Sequence, residues 1–342
     1  MLNFLKFVRR GGANAAPGAA PVAPALARVP DGLTVENDVL IGANDRLYIY
    51  QGAHKIWDQA RGARPIPQEA IDAFDANLRS RRAACEGRKI PWCHLLAPDK
   101  QTVAHADYPL DEVHSVGRTI DASARDCLWP ADHLGADDYY LTDSHWCPSG
   151  QVIVAGLLLE RWGLDRAVLD ARDLPGRMKI RGFHGDLGVK LDPKRKERVA
   201  MLPPNPKISR ASNGIEKTGN EGIVEVLTNR DPCVRQTLLA FGDSFTRVML
   251  PVLSEIFEVV VFCRTRYLHP EVLDMVRPDV CLTQNLERYF ATTDADENAV
   301  PFFMVPHHKG RSPAYTPESL DIVTAAFSHG SPRHAALLER LR

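Results

Sequence analysis

The chain has 342 residues, enough for one large hydrophobic core or two modest ones. With 44% apolar and 25% charged residues it is an ordinary globular composition, which excludes wholly disordered, collagen-like and membrane-spanning chains. A formal net charge of −1 gives no electrostatic drive toward nucleic acid or an anionic membrane, so a nucleic-acid partner is not expected.

Residues 1–30 read as a tail ahead of a domain spanning 31–342. Leu2, Phe4, Leu5, Phe7 and Val8 form a short apolar patch followed by Arg9-Arg10. A secretory signal carries its charge first and its apolar core second, the opposite order. Gly11 to Pro30 is rich in Ala, Pro and Gly, the composition of a flexible linker. The patch suits a frayed terminus, with a membrane surface or a partner helix as alternatives. No stretch approaches the ~20 apolar residues of a spanning helix, so the sequence on its own reads as cytoplasmic.

Asp38–Tyr50 reads as strand, turn, strand, with Gly42-Ala43-Asn44-Asp45 as the turn. Pro67–Glu86 is a helix: Ile71, Phe74, Leu78 and Arg82 mark one face and Gly87 suits its end. Ile90–Ala97 is a strand without polar alternation, hence buried on both faces. Pro98-Asp99-Lys100 follows at its carboxyl edge, where open α/β sheets bind ligands. Lys100 there suits a substrate carboxylate, support of a site, or a plain solvated loop. Leu110–Ala124 reads as a helix and Cys127–Trp129 as a short strand. Val152–Trp162 is an apolar helix with Ser149 as its cap.

Between these, Thr142-Asp143-Ser144-His145-Trp146 places a carboxylate and an imidazole two residues apart. In an extended backbone both lie on one side, and in a loop the carboxylate can orient the ring. A structural histidine is the plain alternative. A metal pair is poorly supported, because no third ligand stands at suggestive spacing. Residues 165–235 lose the strand–helix alternation and read as an irregular, β-rich insertion containing a strand at Ile223–Leu227. Its basic run Lys194-Arg195-Lys196 suits a solvated face, or contact with an acidic glycan.

Doubly wound order returns at Thr237: strand 237–241, helix 245–257, strand 258–263, helix 270–276, strand 279–284, and a helix at 317–328 before a charged terminal helix. Gly242-Asp243 breaks the first strand, and Phe245, Val248, Met249, Val252, Leu253 and Ile256 recur at helical spacing. Ser244 therefore sits where a strand stops and a helix starts, beside unpaired helix N–H groups. Such a serine can attack a carbonyl while those groups hold the oxyanion; the plain alternative is that Asp243 or Ser244 only caps the helix. Asn285 and Arg288 follow another strand edge, as a candidate oxyanion donor and as a donor-holding cation or the partner of Glu287 in an ion pair. His307-His308 lacks metal-spaced partners and reads as surface. The seven cysteines show no finger spacing, and Cys93, Cys263 and Cys281 lie in apolar strands as free thiols, which favours a reducing compartment.

Ser244, His145 and Asp143 together are an acyl-transfer set, recognised by roles and not by chain order. Gly242-Asp243-Ser244-Phe245 preceded by Asp143-Ser144-His145-Trp146 resembles the SGNH-hydrolase-like domain of the alginate O-acetyltransferase family, the AlgX/AlgJ type. In that family the Asp-x-His segment precedes the nucleophile segment, whereas ordinary SGNH esterases have the reverse order. Pro98-Asp99-Lys100, Tyr108-Pro109, Gly185-Asp186-Leu187-Gly188 and Glu287-Arg288 agree with the pattern, over roughly residues 36–290.

The resemblance implies a three-layer α/β domain with a central, mostly parallel sheet. It further implies O-acetyl transfer to carbohydrate hydroxyls of a polysaccharide, an acetyl donor with an oligosaccharide or polysaccharide acceptor, and a membrane partner protein that supplies acetyl groups. No cofactor or metal is called for. Asn285, Arg288, Lys100 and Trp146 become the substrate or oxyanion candidates. Gly42–Asp45 also matches the Gly-x-Asn-Asp oxyanion segment of ordinary SGNH esterases, but Asn44 is expected in a hairpin remote from Ser244. A carbohydrate acetyl esterase and a non-catalytic glycan-binding module are the alternatives. Family members act outside the cytoplasmic membrane, which sets a periplasmic location against the cytoplasmic reading.

Overall fold

The computed structural model describes residues 32–331, so the expected tail over 1–30 and the charged terminal helix lie outside the described residues. The chain divides into Met1–Leu33 and Thr34–Arg342, and the fold below is that of the second unit.

Three short strands, β1 (Thr34–Glu36), β2 (Val39–Ile41) and β3 (Leu47–Ile49), form an antiparallel meander. The turn between β2 and β3 falls at Gly42–Asp45, as its composition predicts. Asn44 adopts the left-handed backbone there, φ 55°, a conformation that asparagine tolerates.

The remaining strands are β4 (Trp92–Ala97), β5 (Lys179–Phe183), β6 (Glu197–Met201), β7 (Ile208–Ser212), β8 (Val224–Asn229), β9 (Val234–Gly242), β10 (Phe257–Arg264) and β11 (Val280–Leu286). Six of them make the central sheet, in the order β4-β11-β9-β10-β8-β7. The pairs β4/β11, β11/β9 and β9/β10 are parallel, and β10/β8 and β8/β7 are antiparallel.

The apolar run in β9 is buried on both sides. Leu238 and Ala240 pack with the helices Pro148–Arg161 and Ser244–Ile256, while Leu239 and Phe241 pack with Pro270–Val276 and Val323 of the helix Pro317–Ala326. This period-2 division makes three layers, each fully buried Leu or Phe contributing about 1.5–3 kcal/mol. Four parallel strands end at one edge of the sheet. Asp99-Lys100, Asp243-Ser244, Thr265-Arg266 and Glu287-Arg288 therefore come together there, although 188 residues separate Asp99 from Glu287.

Several sequence expectations need correction. Leu110–Ala124 is not one helix. Ser115 caps a single turn, Val116–Thr119, and Asp121 then takes a left-handed conformation and caps a second turn at Ala122–Ala124. Each cap starts a turn of its own, and the left-handed Asp121 breaks the run between them. Cys127–Trp129 contributes one bridge, Leu95 to Leu128, and no strand. The helix after His145 starts at Pro148, whose fixed φ suits the first helical position; Cys147 is its cap residue and Ser149 lies inside the first turn. The stretch 165–235 is only partly an insertion, since β5 and β6 form a separate ribbon but β7 and β8 extend the central sheet.

All seven cysteines are free, with Cys93, Cys263 and Cys281 buried as expected. His307 and His308 are exposed at the end of the short helix Val305–His308. No helix among the described residues is long and apolar enough to cross a membrane.

Candidate active site

The nucleophile candidate sits on a sharp turn. β9 ends at Gly242, and a Cβ there would meet Thr246 Oγ1 at 2.4 Å and Gln284 Oε1 at 2.7 Å, so only glycine lets the chain turn this closely. Asp243 caps the following helix, its Oδ1 accepting from Phe245 N at 2.8 Å, as one reading of the sequence anticipated. Gln284 fastens the turn: its Oε1 accepts from Asp243 N and from Thr246 Oγ1, each at 2.9 Å, and its Nε2 donates to Asp243 Oδ2 at 3.1 Å. Burial lifts the Asp243 pKa despite these bonds. Ser244 is left half-buried at the first helical position. The N–H groups of Ser244 and Thr246 have no acceptor within the helix.

Asp143 and His145 form a tight pair. His145 Nδ1 lies 2.6 Å from Asp143 Oδ1, and the same oxygen accepts from His145 N at 2.9 Å. Asp143 Oδ2 accepts from Asp186 N at 2.7 Å. Burial opposes charge on Asp143, but the His145 and backbone N–H bonds outweigh it and hold its pKa below the ordinary carboxylate value. An anionic Asp143 fixes Nδ1 as the protonated nitrogen and leaves Nε2 free to accept a proton.

Three groups that the sequence reading did not assign hold this loop. Asp186 accepts from Ser144 N at 2.8 Å and from Ser144 Oγ at 2.7 Å. Glu197 accepts from Leu141 N at 2.9 Å, Thr142 N at 2.7 Å and Thr142 Oγ1 at 2.6 Å. Gly185 lets the strap approach, since a Cβ there would lie 2.2 Å from Thr142 O. Asp143, His145 and Asp186 also offer ligand atoms within 4.8 Å of one another, so a third carboxylate stands nearer than the spacing implied. Those oxygens are already engaged by the bonds just described.

The imidazole meets the nucleophile segment through packing. Its ring centroid is 4.8 Å from that of Phe245, next to Ser244, and Trp146 Nε1 donates to Phe245 O at 3.2 Å. No hydrogen bond joins Ser244 to His145 among the described residues. Catalytic hydrogen bonds often tighten only on substrate binding.

The four additional candidates take other places. Lys100 is neither solvated nor available to a substrate: it is 2% exposed, and its Nζ donates to the carbonyls of Leu47 at 2.6 Å, Leu141 at 3.0 Å and Asp143 at 3.0 Å. Burial, and then the charge of Arg46, pull its pKa down to about 7. Trp146 is fully buried and touches no substrate space. Asn285 accepts from Arg81 Nη1 at 3.3 Å, and its amide faces Arg266 O at 3.5 Å; it is the adjacent Gln284 that meets the turn. Arg288 pairs with Asp99, not with Glu287, at 2.9 Å, in a geometry too bent for a hydrogen bond. It also lies 5.8 Å from the Phe245 ring centroid. Glu287 instead binds Asp99 N, Thr102 Oγ1, Ser115 Oγ and Gly117 N. Asn44 donates to Asp107 Oδ1 at 2.8 Å.

No family model matches the sequence, and no curated protein matches it. Solved structures do. A DHHW family protein from Eubacterium siraeum is 12% identical with a TM-score of 0.52, over 79% of this chain and 98% of that one. This likeness shows a shared fold. Bacillus cereus PatB1 is 11% identical, with a TM-score of 0.48 over 75% of this chain and 96% of its own. The O-acetyltransferase domain of Pseudomonas putida AlgJ, of the type the motif order resembles, is 14% identical with a TM-score of 0.44, over 80% and 99%.

Proposed function

We propose that this chain is an O-acetyltransferase that acylates carbohydrate hydroxyls through Ser244, His145 and Asp143, within a domain spanning 31–342. The observation that carries the reading is the Asp143–His145 pair at 2.6 Å, packed through Phe245 against a serine at a strand–helix turn. Ser244 Oγ attacks the acetyl carbonyl while His145 Nε2 takes the hydroxyl proton. Asp143 keeps Nδ1 protonated and stabilises the imidazolium. The N–H of Ser244 at the helix start faces the developing oxyanion. The donor leaves with the proton from His145. A sugar hydroxyl then attacks the acetyl-enzyme, His145 again taking the proton, and the acetyl group passes to the acceptor. The motif order, Asp143-Ser144-His145-Trp146 ahead of Gly242-Asp243-Ser244-Phe245, resembles that of the alginate O-acetyltransferase type and supports a polysaccharide acceptor.

The test is acetyl release from an aryl acetate, with and without oligosaccharides, by the unaltered chain and by Ser244→Ala, alongside labelling with a serine-reactive phosphonate. The unaltered chain should be labelled at Ser244 and should move acetyl to the sugar. Ser244→Ala should lose turnover by several orders of magnitude at an unchanged melting temperature. Full activity in folded Ser244→Ala would end the proposal.

A further inference from the structure

Two half-buried rings at the carboxyl edge of the sheet have no partner for their polar tips. The ring centroids of His54 and Tyr289 are 4.5 Å apart, with 54° between the ring planes. Rings tilted this far do not cover each other's faces, so ring surface is left for a third group. Neither the His54 ring nitrogens nor the Tyr289 hydroxyl has a hydrogen-bond partner among the described residues. Burial, and then the charge of Arg288, hold the His54 pKa below its ordinary value, so the imidazole is neutral near neutral pH and offers one donor and one acceptor.

Hydrogen bonds hold this pair in place and tie it to the Ser244 site. His54 O accepts from Arg64 Nη1 and from Gln59 Nε2, each at 2.6 Å, and the same Gln59 Nε2 donates to Arg288 O at 3.3 Å. Tyr289 follows Arg288 on the segment that leaves β11, and it packs against the core cluster that holds Phe245. Gln284, which fastens the Ser244 turn, stands on that same strand. The Arg288 guanidinium lies 5.8 Å from the Phe245 ring centroid, and the His145 ring lies 4.8 Å from it. The two rings are thus joined through Arg288 and Phe245 to the imidazole.

Arg288 is the second observation. It is 6% exposed, and none of its guanidinium N–H groups has a hydrogen-bond acceptor among the described residues. Asp99, 2.9 Å away, balances its charge but not its donors. A buried guanidinium with free donors calls for oxygen atoms from water or a ligand, and with its charge already balanced those oxygens need not be anionic. Ring faces suit the C–H faces of a pyranose, while the ring tips and the guanidinium suit its hydroxyls. An anion alone would leave the two uncovered rings unexplained. We propose that His54, Tyr289 and Arg288 form the subsite that holds a pyranose ring of the acceptor beside Ser244. Calling the sugar the acceptor rests on the acyl-transfer reading; its binding to the rings does not.

Calorimetry on the full chain with cellohexaose and chitohexaose, and no acyl donor, tests binding apart from turnover. At least one of the two should bind. Tyr289→Ala should weaken it about tenfold or more and His54→Ala several-fold, while Tyr289→Phe, which keeps the ring, should stay within a few-fold. Melting temperatures show which variants are folded; should Tyr289→Ala not fold, His54→Ala, on a half-buried loop, decides. With an aryl acetate added, rising oligosaccharide should shift acetyl from water to sugar, half-complete at the concentration that half-saturates binding. Sugar binding without any acetyl release would end the acyl-transfer reading and leave the rings as a glycan-binding site. Failure of both oligosaccharides to bind, or unchanged affinity in folded Tyr289→Ala or His54→Ala, would overturn the proposal.

Discussion

Lys100→Met tests the support beneath the Asp143–His145 pair. The ammonium presents three N–H groups to three carbonyls, and methionine keeps the length but removes every donor. Leu141 O also accepts from Leu47 N at 2.9 Å, so at most the carbonyls of Leu47 and Asp143 lose their donor. At about 1–3 kcal/mol for each unsatisfied buried acceptor, the loss is about 2–6 kcal/mol. Against it stands the relief of no longer burying a charge, and that relief depends on pH. The folded-state pKa of Lys100 is near 7, below the ordinary lysine value of about 10.4. Between those limits the unfolded chain binds the proton and the folded chain does not, so raising the pH stabilises the unaltered protein. Below pH 7 both states are protonated and the gain is absent. Methionine has no such term. The stability deficit of Lys100→Met should therefore widen with pH, by up to roughly 3 kcal/mol between pH 7 and pH 9. Urea denaturation of both proteins at pH 6, 7, 8 and 9 measures it. A deficit that stays flat or narrows over that range would refute the reasoning, because it would mean that the buried amine stays charged.

Gly242→Ala should cost about 1–3 kcal/mol, read as a lower melting temperature, because the new methyl collides with Thr246 and Gln284. Asp243→Ala should cost about 0.5–2 kcal/mol through loss of the cap, by urea denaturation, and should lower acetyl turnover as the turn loosens. Asp186→Asn replaces one of the two oxygens that hold Ser144, so aryl acetate hydrolysis should show reduced kcat with KM little changed. Asp143 has a depressed pKa, so the stability advantage of the unaltered chain over Asp143→Asn should be complete above about pH 4 and should vanish as pH falls below it, followed by acid unfolding.

What was legible in the sequence was local. The β9 run between polar neighbours and the helical spacing after Gly242 fix the turn at Ser244, because strand and helix periods are both properties of adjacent residues. Asp143 and His145 are two residues apart and need no tertiary information to be paired. The residues that local patterns leave unassigned are those whose partners lie far along the chain. Glu197 reaches Thr142 across 55 residues, and Gln284 reaches Asp243 across 41. Asn285 is the expected oxyanion donor, but alternate strand residues face opposite sides, so Gln284 meets the Ser244 turn and Asn285 meets Arg81. The resemblance makes Trp146 a substrate or oxyanion candidate, yet its indole is fully buried in the core while the neighbouring His145 is partly exposed. For Lys100 the sequence leaves a substrate carboxylate, support of the site and a solvated loop open, and three carbonyls aimed at one point, two of them from the Asp143 loop, favour support.

The site consists of two halves with different supports. Ser244 stands on the central sheet, with Phe245 fully buried behind it and Gln284 locking the turn. His145 stands on a loop held from below by Lys100 and from the side by Asp186 and Glu197. The halves meet where the Phe245 ring contacts both the imidazole and the Trp146 indole, each at 4.8 Å. Because Phe245 and Trp146 are close-packed, neither half can move toward the other without repacking that wedge, which costs several kcal/mol. The Ser244 side chain carries no such constraint: it is half-buried, and rotation about one bond changes where its hydroxyl points. In the proposed mechanism the mobile partner is therefore the Ser244 hydroxyl, and the fixed one is the imidazole held by Asp143.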